Sequence, residues 1–419
     1  MKKHTQSPYE SSKVSYKPSG IEWLGEIPQS WKNVSIRSCF TESNQRCNTD
    51  SYPLLSVTIA NGIIYQDDIE NKKDISNDDK SNYKIVPLNA VAYNKMRMWQ
   101  GAVGVNTLTI GIVSPAYIVA IPNEKILPNF VSYLFKSKIM IGEFDKNSYG
   151  LCLDMNNLRY DDFRNIKIPL PPLQEQKEIA EFLDKKCEKI QNYINKKQKL
   201  ITLLQEKKQA LINEVVTKGL NPNIEFKNSE IAYLGLIPHH WEVRRMKFMA
   251  SIHNGREQTE IADENGIYPI YGSGGILGKS MYFIYDKPSV LLGRKGTIDK
   301  PLFVEEPFWT IDTMFYTSVS KIVLPKYFYY LCLTIDFQFY ISGSAIPSMT
   351  QYDLANISFA LPPLQEQKQI ANFLDEKCEK INSAIEKTKK QIELVKEYKN
   401  TFINEAVCGR INLQKKERI

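Results

Sequence analysis

The sequence predicts an α+β protein in which two mixed globular heads are separated by two long helices, the helices packing as an antiparallel intramolecular coiled coil with a pseudo-twofold repeat. Three observations carry this. IPLPPLQEQKEIAEFLDKKCEKI at 168–190 returns as FALPPLQEQKQIANFLDEKCEKI at 359–381, and LINEVV at 211–216 returns as FINEAV at 402–407, both 191 residues later. IEWLGEIPQSW at 21–31 returns as IAYLGLIPHHW at 231–241, 210 residues later, so the intervening stretches differ by 19 residues. Each LPPLQEQK run also opens a seven-residue apolar period. Self-similarity at a fixed offset organises a chain before any local reading does.

In chain order, the first head spans 1–170. Its apolar runs at 54–66 and 90–120, broken by Gly and Pro, read as strands, and NFVSYLFKSKI at 129–139 reads as a helix. The first spacer helix, 171–218, starts at Pro171 and Pro172, residues suited to a helix start. Its a positions are Leu173, Ala180, Cys187, Ile194, Ile201, Lys208 and Val215, and its d positions are Gln176, Leu183, Ile190, Lys197, Leu204 and Leu211. A short linker, 218–228, leads to the second head, 219–361, with strand-like runs at 268–298 and 308–316 and a helix-like KYFYYLCLTI at 326–335.

The second spacer helix, 362–409, repeats the stripe with Leu364, Ala371, Cys378, Ile385, Ile392, Lys399 and Ala406 at a, and Gln367, Leu374, Ile381, Thr388, Val395 and Phe402 at d. A single stripe of this kind fits dimerisation between chains. Two in one chain are best buried against each other, over about 44 residues or ~66 Å at 1.5 Å per residue. Because the second head begins where the first helix ends and feeds straight into the second helix, the pair must be antiparallel. Cys187 and Cys378, at equivalent seam positions, read as small core residues in a reducing compartment. Residues 410–419 form a basic tail.

Composition sets limits. The chain is 42% hydrophobic and 24% charged, ordinary soluble material. Its net +7 is distributed as +3 over 1–172, +3 over 173–218, −2 over 219–363, zero over 364–409 and +3 in the tail, so bulk charge does not mark a DNA binder. The stretch from Met98 to Asn123 is uncharged but broken by Gly101, Gly104, Asn106 and Pro115, which argues for buried strands over a membrane span. Met1–Lys13 has no apolar core behind its basic residues, so a cytoplasmic protein is expected, with no membrane partner. Seven cysteines and four histidines show no metal-ligand spacing, and no metal site is expected.

Two polar clusters stand out in the heads. Asn94, Lys95, Arg97, Trp99 and Gln100 crowd after an apolar run, and Arg294, Lys295 and Thr297 stand around Gly293 and Gly296. Arg and Lys read guanine edges, Asn and Gln read adenine, and all can hold phosphates; the plain alternative is solvated loop charge. Lys279 is a further candidate DNA contact. It belongs to GSGGILGKS at 272–280, which imitates a phosphate-binding loop but has Ser273 where that loop requires Gly, and Met281–Ile284 reads as strand instead of helix. No catalytic constellation is recognisable.

The doubled LPPLQEQK, the WLGEIPQSW and YLGLIPHHW lead-ins, NKMRMWQGAVG, GIVSPAY, YGSGGILG and GRKGT closely resemble the specificity subunit of type I restriction and modification enzymes, over nearly the whole chain. The resemblance implies that the heads are target recognition domains for a bipartite, asymmetric double-stranded DNA target and that the helices set its unread spacer. It also implies assembly with two modification subunits, which bring S-adenosylmethionine and methylate adenines, and with restriction subunits, which use ATP and magnesium; this chain itself would be non-catalytic and bind no cofactor. Subunit docking and the helix pair would fall to Leu173, Gln174, Gln176, Leu183 and Ile190 and to Leu364, Gln365, Gln367, Leu374 and Ile381. A coiled-coil scaffold with two protein-binding heads, and a nucleotide hydrolase using Lys279, are the rival readings.

Overall fold

The computed structural model describes residues 15–47, 52–69, 79–150, 156–340 and 347–411; the expected tail beyond Ile411 lies outside them. The chain divides into two compact units, residues 1–196 with 391–419, and residues 197–390. Each unit therefore holds one head, the start of the helix that follows it, and the end of the other helix.

The long helices run Leu173–Lys218 and Leu364–Val407. Their heptad positions form the least exposed stripe: Gln176, Ala180, Leu183, Ile201 and Val215 are buried on the first, and Gln367, Ala371, Leu374, Cys378, Ile385, Ile392 and Ala406 on the second. Antiparallel packing is visible in each unit. In the first unit Phe182, near the start of one helix, meets Phe402, near the end of the other, with ring centroids 5.4 Å apart. In the second, Lys208 donates to Asn382 Oδ1 at 3.0 Å, which accommodates a charged residue in the seam. Cys187 faces Tyr133 and Lys399, and Cys378 faces Tyr330 and Lys208; burial raises both thiol pKa values.

Leu173 and Leu364 depart from the seam expected of them, each 46% exposed. The reason is register. Leu173 lies nine residues before Phe182, and nine residues beyond Phe402 the opposing helix has already ended at Val407. Leu364 likewise precedes Asn382 by more residues than separate Lys208 from the helix end at Lys218.

Despite their different sequences the heads share a topology. The first has a four-stranded antiparallel sheet in spatial order Phe40–Ser43, Tyr117–Pro122, Val91–Asn94, Val103–Val105; the second has Ala250–Asn254, Met314–Val319, Ser289–Gly293, Leu302–Val304. Uncharged residues after Met98 are thus strands, and among the described residues no helix is long and apolar enough to cross a membrane. One helix packs on each sheet, Pro128–Lys136 and Pro325–Cys332, both with Pro in the first turn. Phe130, Phe135, Phe144 and Phe163 fill the first core; Phe315, Tyr327 and Phe328 fill the second.

The repeated sequence that leads into each long helix is itself a strand. Lys167–Leu170 pairs with Lys32–Ser35, and Ser358–Leu361 with Glu242–Arg245. The residues just after each lead-in Trp are thereby joined to the residues just before each long helix.

Candidate nucleic-acid interface and the frame that holds it

The two repeated motifs are halves of one joint. In the first unit Glu175 accepts hydrogen bonds from Trp31 Nε1 at 2.7 Å and Ser30 Oγ at 3.0 Å. In the second, Glu366 accepts from Trp241 Nε1 at 3.0 Å and contacts His240 Nε2 at 2.6 Å. Both indoles are buried. The Glu of LQEQ therefore receives the indole N–H of the lead-in Trp, a donor that burial would otherwise leave unsatisfied.

Gln176 and Gln367, expected on the docking surface and in the seam, are fully buried, and their amides are engaged within their own unit. Gln176 Oε1 accepts from Leu127 N at 2.7 Å, while its Nε2 donates to Lys125 O and Pro171 O. Gln367 does the same with Leu324 N at 2.8 Å, Ile322 O and Pro362 O. Each amide clamps the first turn of the long helix to the loop that starts the head's own helix. About two turns further along, Tyr133 donates to Asp184 and Tyr330 to Asp375, each at 2.6 Å. Burial, then the carboxylate partner, raises both phenol pKa values.

The far ends of the long helices close the same joint. Gly219 follows Lys218 and Gly409 lies two residues after Val407, with φ of +77° and +75°. Such left-handed residues end helices at little steric cost only when they are glycine. A Cβ at Gly219 would stand 3.1 Å from the Trp241 ring, and one at Gly409 would stand 2.5 Å from Pro28 and 3.1 Å from Trp31. Within each unit, then, one Trp touches the start of one long helix and the end of the other.

The polar clusters of the two heads occupy the same place in the fold, the connection after the third strand, in spatial order, of the four-stranded sheet. Lys95 O accepts from Leu158 N at 2.8 Å, and Arg294 O accepts from Met349 N at 3.0 Å, the equivalent bond. In the first head Asn94 Oδ1 accepts from Met96 N, Trp99 Nε1 donates to Met96 O, and exposed Arg97 donates to Gln100 Oε1 at 3.1 Å. In the second head Arg294 donates to Asp312 O at 3.2 Å, its guanidinium 5.9 Å from the Phe315 ring centroid; Lys295 is exposed and Thr297 partly so. The backbone is fixed, Arg97 and Lys295 are exposed and the other polar side chains are partly so, an arrangement suited to reading base edges and phosphates.

Lys279 does not join that cluster. GSGGILGKS is a β-hairpin: Tyr268–Gly272 pairs with Gly275–Ser280, and no helix follows. Its strand thus precedes Met281, where the sequence suggested strand over Met281–Ile284. Thr313 links the hairpin turn, through Ser273 N, to Arg294 N. Lys279 lies on the strand about 15 Å from that turn at 3.3 Å per residue, beside Asp263 and Glu264.

One residue that the sequence did not single out supports the first cluster. Lys136, the last residue of its helix, donates to Thr58 O, Ile59 O and Gly101 O at 3.3, 2.6 and 3.0 Å. It ties the Leu55–Thr58/Gly62–Tyr65 hairpin to the end of the Asn94–Gln100 loop, and burial lowers its pKa to about 8.

Comparison with known proteins agrees with this architecture. The family described as type I restriction modification DNA specificity domain matches residues 31–205 and again 238–394. The specificity subunit named for the type I restriction enzyme MjaX of Methanocaldococcus jannaschii is 25% identical, with 93% of this chain and 96% of that protein covered. The MjaVIII specificity subunit of the same organism is 29% identical over 60% of this chain and 64% of that protein. Among solved structures, a chain from work on complex assembly and conformational transition of the type I R-M system superposes with a TM-score of 0.70 at 15% identity, covering 92% of this chain and 99% of that one. The HsdS subunit from Thermoanaerobacter tengcongensis gives 0.51 at 16% identity, covering 92% and 98%. With its doubled frame and its two matched segments, this chain belongs to the type I restriction–modification DNA specificity family.

Proposed function

We propose that each head reads one half of a bipartite, asymmetric double-stranded DNA target, the first through Asn94, Lys95, Arg97 and Gln100 and the second through Arg294, Lys295 and Thr297. The observation that carries this reading is the coincidence of the two clusters: equivalent connections on equivalent sheets, with different side chains. Different donors and acceptors at one docking position specify different base pairs. Lys279 is outside the reading set.

The paired helices hold the unread spacer at fixed length, and their starts dock two modification subunits. Leu173 and Leu364, with Gln174 and Gln365 beside them, are exposed at identical points of both repeats, which suits two equivalent contacts. Leu183, Ile190, Leu374 and Ile381 act in the helix pair itself. S-adenosylmethionine, ATP and magnesium belong to the modification and restriction subunits, and this chain is non-catalytic.

Sequencing of modified adenines, after co-expression with the modification subunit, tests the assignment. Arg294→Ala is expected to relax the second half-site by roughly 1–3 kcal/mol of base discrimination while leaving the first intact, and Arg97→Ala to do the reverse. Unaltered motifs in both variants contradict it, and a protein-binding scaffold predicts that outcome.

A further inference from the structure

The second unit carries a concave basic surface away from the recognition loop. An open groove of about 750 Å³ is lined by Lys227, Glu242, Arg244, Arg245, Lys247 and Phe248, among others. Four cations thus face one carboxylate, and that carboxylate is engaged: Glu242 Oε2 takes Arg244 Nη2 at 2.7 Å. The segment 219–363 as a whole is net −2, so the groove is a local concentration of positive charge and not a share of a basic background. Arg245 and Lys247 both reach Asn356 Oδ1 at only 3.5 Å, and the Lys247 ammonium lies 5.4 Å from the exposed Phe248 ring centroid. Among the described residues, Arg245 and Lys247 make no ion pair with a carboxylate.

The groove is connected to the recognition loop by one short helix. Arg294 O accepts from Met349 N, Thr350 caps the helix Gln351–Asn356, and Asn356 at its end meets Arg245 and Lys247. Six helical residues span roughly 9 Å, close to the advance of about three base pairs along the duplex axis at about 3.4 Å each. At the same offset of 210 residues the first unit has Val34 and Ser35 for Arg244 and Arg245, whereas Lys17 and Arg37 keep the positions of Lys227 and Lys247.

We infer that this groove is a phosphate-binding site for the backbone of the duplex whose bases the Arg294 loop reads, adding sequence-independent affinity at the second half-site. The inference rests on the half-site reading above. A strand that leaves the base-reading loop reaches Arg245 and Lys247 within a few nucleotides, and their charges replace condensed counterions there.

The test uses the complex with modification subunits, titrated against a duplex carrying its motif and an unrelated duplex over a range of salt concentrations. Arg245→Ala/Lys247→Ala is expected to weaken both duplexes about tenfold and to reduce the salt slope by about two, near 0.9 per phosphate contact, with the methylated motif unchanged. Arg245→Lys/Lys247→Arg is expected to retain the slope. An unchanged slope in the alanine variant overturns the site, as does loss of modification subunits with the slope intact, which would make the groove a protein interface. A wild-type complex without motif preference contradicts the half-site reading instead, and the slope on the unrelated duplex still decides the groove.

Discussion

Replacement of Trp241 by alanine is expected to destabilise the second unit by about 3–5 kcal/mol, the usual cost of truncating a large buried aromatic. Trp241 is fully buried, its indole N–H meets Glu366, and its ring lies against Gly219. Alanine leaves a cavity between the two helix ends and a carboxylate without that donor. For a unit of this size the midpoint of thermal unfolding should fall by about 10 °C. Hydrogen exchange should show lost protection in residues 197–390, with the Trp31 joint of the other unit retained. Trp241→Phe, which fills most of the space but lacks the N–H, should fall between alanine and wild type. A shift below about 2 °C for Trp241→Ala contradicts the joint described here.

Insertion of one heptad into each long helix, at matched points of the seam, is expected to lengthen the methylated motif without changing its half-sites. Seven residues add about 10.5 Å, equivalent to roughly three base pairs at 3.4 Å. Matching the insertions preserves the pairing that Phe182–Phe402 and Lys208–Asn382 define. Insertion into one helix alone breaks that pairing and should impair folding. A motif that keeps its spacer, or that changes its half-sites, contradicts the role given to the helices.

The long helices were legible in the sequence because a heptad stripe is a local signal repeated many times, and duplication revealed its partner in the same chain. The stripe failed only at Leu173 and Leu364, where the opposing helix has ended, a fact of register that no local pattern carries. The LQEQ motif was legible as important but not in its role. Glu175 finds Trp31 at a separation of 144 residues and Glu366 finds Trp241 at 125, and only the fold brings them together. A hint was available, since the lead-in Trp and the LQEQ glutamate are repeated in both halves.

In the heads the sequence located the polar clusters through their crowding, but their equivalence appeared only with the sheets, because the strands around them share topology and little sequence. Lys279 was drawn in by a glycine-rich pattern that the hairpin explains as turn and strand. Lys136 escaped notice because a lone lysine at a helix end has an ordinary sequence context. Its three carbonyl partners come from two distant loops.

The most direct measurement is the sequencing of modified adenines in DNA from cells co-expressing this chain with its modification subunit. Two heads with different reading residues predict a motif in two unlike parts, separated by a spacer of constant length and indifferent sequence. A continuous motif, or no new methylation from an intact complex, would contradict the account.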